Sequence, residues 1–125
     1  MEKLKIAVGC DHGGFNLKEK VVEYLKSKNI EFEDFGIYEN KSSDYPIMAH
    51  KVAHEIAKGN FNRGILLCGT GLGMSIVANK TKGVRAVTVS DSFSARASRS
   101  HNNSNVLCLG ERVIGDCLAL ELLEI

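Results

Sequence analysis

Short apolar runs alternate along this chain with longer segments whose apolar residues recur at helical spacing. Lys5 to Gly9 is the first such run, and it leads into the turn Cys10-Asp11-His12-Gly13-Gly14. From Phe15 to Lys28 the apolar Leu17, Val21, Val22 and Leu25 fall on one side of a helix. Ile30 to Phe35 sets Ile, Phe and Phe against three acidic residues, the pattern of an exposed or edge strand. Gly36 to Tyr45 reads as polar loop, and Pro46 suits the first turn of a helix running to about Lys58. Arg63 to Cys68 is a buried strand, Met74 to Thr81 a helix, Arg85 to Val89 a strand, and Ser92 to about Ser100 a helix. Asn105 to Leu109 is another strand, and Val113 onward a final helix. This β, α rhythm predicts one α/β domain over residues 1–125, a three-layer α/β/α Rossmann-like arrangement around a five-stranded parallel sheet. Ligands of such sheets bind beyond the carboxyl ends of the strands.

Composition narrows the function classes. With 125 residues, 44% of them hydrophobic and 25% charged, the chain can bury a core but not two. A net charge of +1 and scattered basic residues argue against a nucleic-acid or anionic-membrane partner. No run approaches the roughly 20 apolar residues of a membrane span, and no signal-like segment opens the chain, so a cytoplasmic protein is expected. Cys10, Cys68, Cys108 and Cys117 lack C-x-x-C spacing and read as reduced thiols, of which Cys68 alone has a reactive setting. Three Tyr and no Trp leave little to stack a flavin, which disfavours a flavodoxin-like module.

The chemistry centres on Leu66-Leu67-Cys68-Gly69-Thr70-Gly71-Leu72-Gly73-Met74, where an apolar strand runs into a thiol and a glycine turn before a new helix. Glycines at 69, 71 and 73 remove the Cβ atoms that would keep a ligand from the backbone, so the loop can wrap a phosphate or oxyanion. The following helix adds free N–H groups and the positive end of its dipole. The same groups favour a thiolate at Cys68, a nucleophile or general base, although free Cys is more often a small buried hydrophobe. The loop is neither a dinucleotide fingerprint, its third glycine coming one residue early, nor a Walker loop, which needs Lys-Ser/Thr. Asp11-His12-Gly13-Gly14 is either a plain turn or an acid/base and hydroxyl-binding pair beside an opening. The Arg85 strand ends in Ser90-Asp91-Ser92, and His101-Asn102-Asn103 precedes Asn105; all four clusters are expected on the carboxyl rim of the sheet. His101 there is a proton-transfer candidate, against a plain surface loop. Arg96, Arg99 and Arg112 are anion-clamp candidates, with surface ion pairing the alternative for Arg96 and Arg99. His50 and His54 stand four apart, but position 51 is Lys, not the Glu of H-E-x-x-H; they read as a solvated helix face, and no metal is expected.

Cys10-Asp11-His12-Gly13-Gly14, Asp44-Tyr45-Pro46, Cys68-Gly69-Thr70-Gly71-Leu72-Gly73, Ala78-Asn79-Lys80, Gly83-Val84-Arg85-Ala86, His101-Asn102-Asn103, Asn105-Val106-Leu107 and Gly110-Glu111-Arg112-Val113-Ile114-Gly115 follow one another through the chain. This ordered set resembles the type B ribose-5-phosphate isomerase family, whose other members isomerise allose 6-phosphate or galactose 6-phosphate. The resemblance implies interconversion of ribose 5-phosphate and ribulose 5-phosphate through an enediolate, in the pentose phosphate pathway. Cys68 matches the family's base and Thr70 a neighbour that orients it. His101 matches the ring-opening acid, and Asp11 its partner at the ring hydroxyls. His12, Asn102 and Arg112 match substrate or phosphate contacts, and Gly69, Gly71, Leu72 and Gly73 form the donor loop. No metal or organic cofactor is implied. Homodimers or tetramers are, with the His101 loop of one chain serving the Cys68 loop of another. Ser100 stands where the family commonly has an acidic residue, and the chain stops at Glu124-Ile125 before an Arg-bearing tail that supplies part of the phosphate clamp. Weak phosphosugar binding is therefore expected, and the alternative to an isomerase is a protein that holds a phosphosugar without turning it over.

Overall fold

Strand β3 (Arg63–Cys68) lies at the centre of the sheet and is buried at every position after Arg63, as an uninterrupted apolar run in a parallel sheet requires. The computed structural model describes residues 4–36 and 45–124, so the Asp44 of the motif Asp44-Tyr45-Pro46 and most of the expected loop from Gly36 to Tyr45 lie outside the described residues. Around β3 are β1 (Lys5–Cys10), β2 (Glu31–Asp34), β4 (Ala86–Thr88) and β5 (Val106–Gly110), all parallel, in the order β2-β1-β3-β5-β4. The crossovers carry α1 (Phe15–Ser27), α2 (Tyr45–Ala57), α3 (Leu72–Ala78) and α4 (Ser92–Asn102), and α5 (Asp116–Glu124) follows β5. The expected α/β/α sandwich with five parallel strands is the observed one.

Two cores, one on each face of the sheet, hold the layers together. Ile6, Val8, Ile65, Leu67 and Leu109 meet Leu17, Val21 and Leu25 of α1 and Leu122 of α5. On the opposite face Ala7, Leu66, Cys68 and Val106 meet Val52 and Ile56 of α2 and Met74 of α3. Successive strand residues point to opposite faces, so the parity that sends Leu67 to one core sends Cys68 to the other. A fully buried Leu contributes roughly 1.5–3 kcal/mol, and Leu66, Leu67 and Leu109 each have no exposed surface.

The edges are handled differently. β2 alternates exposed and half-buried positions, as its charge pattern predicts. At β4 the amide of Asn79 takes the place of a further strand: its Nδ2 donates to the Ala86 carbonyl at 2.8 Å, and its Oδ1 accepts from the Ala86 N–H at 2.7 Å. That pairing blocks the open edge. Beneath β2, Lys18 is only 2% exposed, and its ammonium donates to Asp34 at 2.8 Å and Glu19 at 2.9 Å. Burial alone would lower its pKa, but hydrogen bonds and charge from Asp34 and Glu19 more than offset that and hold it above the ordinary lysine value.

Three boundaries differ from the sequence pattern for local reasons. Helix α3 starts at Leu72, not Met74, because Gly71 adopts φ 85° and the Thr70 hydroxyl accepts the Leu72 N–H at 3.2 Å. It ends at Ala78, where Asn79 turns to β4. Helix α5 starts at Asp116, not Val113, because the N–H groups of Val113 and Ile114 both close onto the Gly110 carbonyl, at 3.0 and 3.1 Å.

The larger correction concerns His101. It does not share the carboxyl rim with the other three clusters. Helix α4 leaves the carboxyl end of β4, capped by Asp91 through the Ser94 N–H at 2.7 Å, and returns antiparallel to the strands. Its last residues, His101 and Asn102, therefore stand at the amino-end rim, where Asn105 pairs with Gly64 and Arg85 at the starts of β3 and β4. In a sheet whose strands all run parallel, the stretch before a strand lies on the amino-end rim, whatever its polarity.

Candidate active site

At the carboxyl end of β3 the thiol of Cys68 is buried, and its Sγ accepts the backbone N–H of Gly71 at 2.9 Å. Gly71 can turn this N–H inward because it sits in the left-handed region at φ 85°, where an added Cβ would come within 2.9 Å of Thr88 Cγ2. The Thr88 hydroxyl completes the clamp by donating to the Gly71 carbonyl at 2.9 Å. Among the described residues the N–H groups of Gly69, Thr70, Gly73 and Met74 have no protein acceptor, so the loop presents donors around the sulfur. Thr70 and Leu72 are exposed, and Gly73 lies in the first turn of the helix that Leu72 opens.

Against this loop lies the end of β1. Asp11 is 8% exposed; its Oδ1 accepts the Gly13 N–H at 2.8 Å and its own N–H donates to the Leu67 carbonyl at 3.1 Å. The turn sits backbone on backbone: a Cβ on Gly13 would lie 2.9 Å from the Gly69 nitrogen, and one on Gly14 would lie 2.3 Å from the Leu67 carbonyl carbon. Asp11 thus serves the turn itself, and His12 beside it is exposed. From β5, the Glu111 N–H donates to the Cys68 carbonyl at 2.8 Å and the Arg112 N–H to the Gly69 carbonyl at 3.0 Å. The Arg112 guanidinium lies over Gly69, its Nη1 3.1 Å from where a Cβ would stand.

The structure brings together Cys68, Asp11, His12, Gly69, Thr70, Gly71, Leu72, Gly73 and Arg112; it leaves His101 and Asn102 of the same chain on the other rim. Arg99 is engaged locally, donating to the Ser104 carbonyl and to Asn103 Oδ1. Cys108, the nearest other thiol on the same face, is held protonated: burial first, and then the proximity of Cys68, push its pKa well above the ordinary thiol value. It does not compete as a base. His50 and His54 face each other on α2 with ring centroids 5.2 Å apart, and no group of three or more metal-ligating side chains occurs among the described residues. The groove of about 200 Å³ between the sheet and helices α4 and α5, lined by Ile65, Leu107, Ala95 and Leu122, opens at the amino-end rim and touches none of the carboxyl-rim residues. No described helix is long and apolar enough to cross a membrane.

Thr88, Asn79 and Glu111 are contributors that sequence reasoning passed over. Thr88 carried a faint signal as the one hydroxyl inside an apolar strand. The partners of the other two lie 7 and 94 residues away, beyond any local pattern.

A buried thiol that accepts a backbone N–H inside a glycine loop, with a guanidinium over that loop and the Asp11-His12 turn packed against it, defines a parallel α/β enzyme for a small anionic substrate. The chain belongs to the Ribose/Galactose Isomerase family, whose model matches residues 6–125. It is 49% identical to ribose-5-P isomerase B of Listeria innocua over 121 residues, 97% of this chain and 82% of that protein. It is 44% identical to a D-erythrulose-4-phosphate isomerase of Pectobacterium atrosepticum over 122 residues, 96% of this chain and 80% of the relative. The solved ribose-5-phosphate isomerase B of Clostridium thermocellum superposes with a TM-score of 0.95 at 50% identity, covering 97% of this chain and 82% of that one. That of Mycoplasma genitalium, solved with bound ribulose-5-phosphate, superposes at 0.94 with 36% identity, covering 99% and 83%. The chain is a sugar phosphate isomerase of this family.

Proposed function

We propose that the chain interconverts ribose 5-phosphate and ribulose 5-phosphate. The observation that carries this reading is the Cys68 sulfur held by the Gly71 N–H inside a loop of unpaired donors. The Cys68 thiolate takes the proton from C2 of the opened aldose, leaving a thiol and an enediolate whose oxygens meet backbone N–H groups. The thiol returns that proton to C1 while the hydroxyl proton passes from O2 to O1, which gives the ketose with no net gain or loss of atoms or electrons. Asp11 and His12 address the ring hydroxyls, Thr70 orients base and sugar, the Gly69–Gly73 loop addresses the enediolate oxygens, and Arg112 addresses the phosphate.

His101 and Asn102 enter from a second copy, as ring-opening acid and substrate contact. Phe93, Ala97 and His101 recur every fourth residue on one side of α4, with Phe93 75% exposed. Two such helices packed antiparallel about the small Ala97 carry His101 of one copy to the Phe93 end of the other, at its carboxyl rim. A dimer, or a tetramer made of two dimers, then has two composite sites per pair.

The test is to supply ribose 5-phosphate, allose 6-phosphate and galactose 6-phosphate separately and compare kcat/KM for ketose formation. Highest kcat/KM with ribose 5-phosphate supports the proposal. Preference for a hexose phosphate, or binding without turnover of any of the three, contradicts it.

A further inference from the structure

Helix α1 has no cap of its own. Its N-cap position is Gly14, which makes no side-chain hydrogen bond to the first turn. A side chain cannot stand there, because a Cβ would meet Leu67 and Cys68 backbone atoms at 2.3 to 2.6 Å. The missing acceptor comes from 94 residues away: Glu111 Oε1 accepts the Leu17 N–H at 2.7 Å, and Oε2 accepts from the side-chain Nδ2 of Asn16 at 3.5 Å. Leu17 is the third residue of α1, the place a capping side chain would serve. The backbone of Glu111 is fixed at the same time to the Cys68 carbonyl, at 2.8 Å. One residue therefore ties the helix that begins with the His12 turn to the strand end that bears the base, and the next residue, Arg112, lies over Gly69.

We infer that Glu111 is a positioning residue: its carboxylate sets the distance between the Asp11-His12 turn and the Cys68 loop, and so the fit of the sugar between them. The inference rests on the isomerase reading for its kinetic readout and on geometry alone for its mechanism. The carboxylate also neutralises the positive end of α1, leaving the donors of the Gly69–Gly73 loop as the anion site. Nothing touches substrate through Glu111; it acts through His12 and Asp11.

The experiment is a double-mutant cycle with ribose 5-phosphate. Glu111→Ala is expected to raise KM about tenfold with a smaller change in kcat, and Glu111→Gln, which keeps an acceptor for the Leu17 N–H, to recover most of that loss. In a His12→Ala background the further effect of Glu111→Ala is expected to fall to about threefold, because one of the two residues it positions is gone. Glu111→Asp, one methylene short of Leu17, should follow Ala and serves as the second variant where Ala does not fold. Unchanged KM in the Ala and Asp variants overturns the inference. So does an equal loss with and without His12, or a Gln variant as impaired as Ala, since each marks a merely structural role. A wild-type chain without turnover overturns the functional reading instead, and the same cycle is then read as the Kd for ribose 5-phosphate by calorimetry. A wild-type chain that neither turns over nor binds the sugar overturns both.

Discussion

Gly71 donates its backbone N–H to the sulfur of Cys68 across 2.9 Å, and only a left-handed residue can aim it there. The strain of the turn and the placement of the base are thus one feature. A strand end supplies the thiol, a glycine supplies the donor, and Thr88 fixes the glycine from β4, two strands across the sheet, at 2.9 Å.

Gly71→Ala should therefore damage both stability and activity. The backbone at φ 85° and a Cβ 2.9 Å from Thr88 together predict a loss of about 2–4 kcal/mol in urea unfolding. The kcat should fall more than tenfold as the N–H leaves the sulfur. Gly59 has nearly the same φ, 84°, with nothing within 4 Å of its missing Cβ. Gly59→Ala should lose only the strain, about 1–2 kcal/mol, and keep its kcat. Equal effects at the two positions would separate the turn from the chemistry.

The proposed sharing of sites between two copies predicts complementation. Cys68→Ala and His101→Ala chains, each with little turnover alone, should regain activity when unfolded together and refolded. Random pairing makes half the dimers mixed, each with one intact site, so recovery should approach about a quarter of wild type. A mixture no more active than its components would place both groups' work within one chain.

Lys18 makes stability sensitive to alkaline pH. Its folded-state pKa is raised above 10.5 by Asp34 and Glu19 acting against burial, so its contribution is complete below the unfolded value and is lost as pH rises through the folded one. Wild type should lose stability above about pH 10.5, and Lys18→Met should show less of that loss while costing about 1–3 kcal/mol at neutral pH, where Asp34 loses its partner. Melting temperatures of the two chains across pH 8–12 check both statements.

The layers of this fold were legible because a parallel sheet buries whole strands: Ile65, Leu66 and Leu67 announce β3 without help from the rest of the chain. The Cys68 loop was legible for a similar reason, since its glycines and thiol are contiguous. The position of His101 was not. Its polar run marks a break between elements, but which rim that break occupies depends on the direction of α4, a property of the crossover and not of the residues around it. The starts of α3 and α5 moved by two or three residues because the capping contacts of Thr70 and the closure on Gly110 override periodicity. Glu111 stood out only as a member of the Gly110–Gly115 motif, and its role was not legible, because its carboxylate serves a helix at the other end of the chain.

The central claim is that Cys68 moves the proton between C2 and C1 of ribose 5-phosphate. It is tested most directly by running the reaction in deuterium oxide with wild type and Cys68→Ala, following ribulose 5-phosphate and deuterium at carbon while measuring sugar binding to each. Wild type should form ketose and carry deuterium at C1, and Cys68→Ala should bind the sugar with neither turnover nor exchange. Undiminished turnover and exchange in Cys68→Ala would contradict the account.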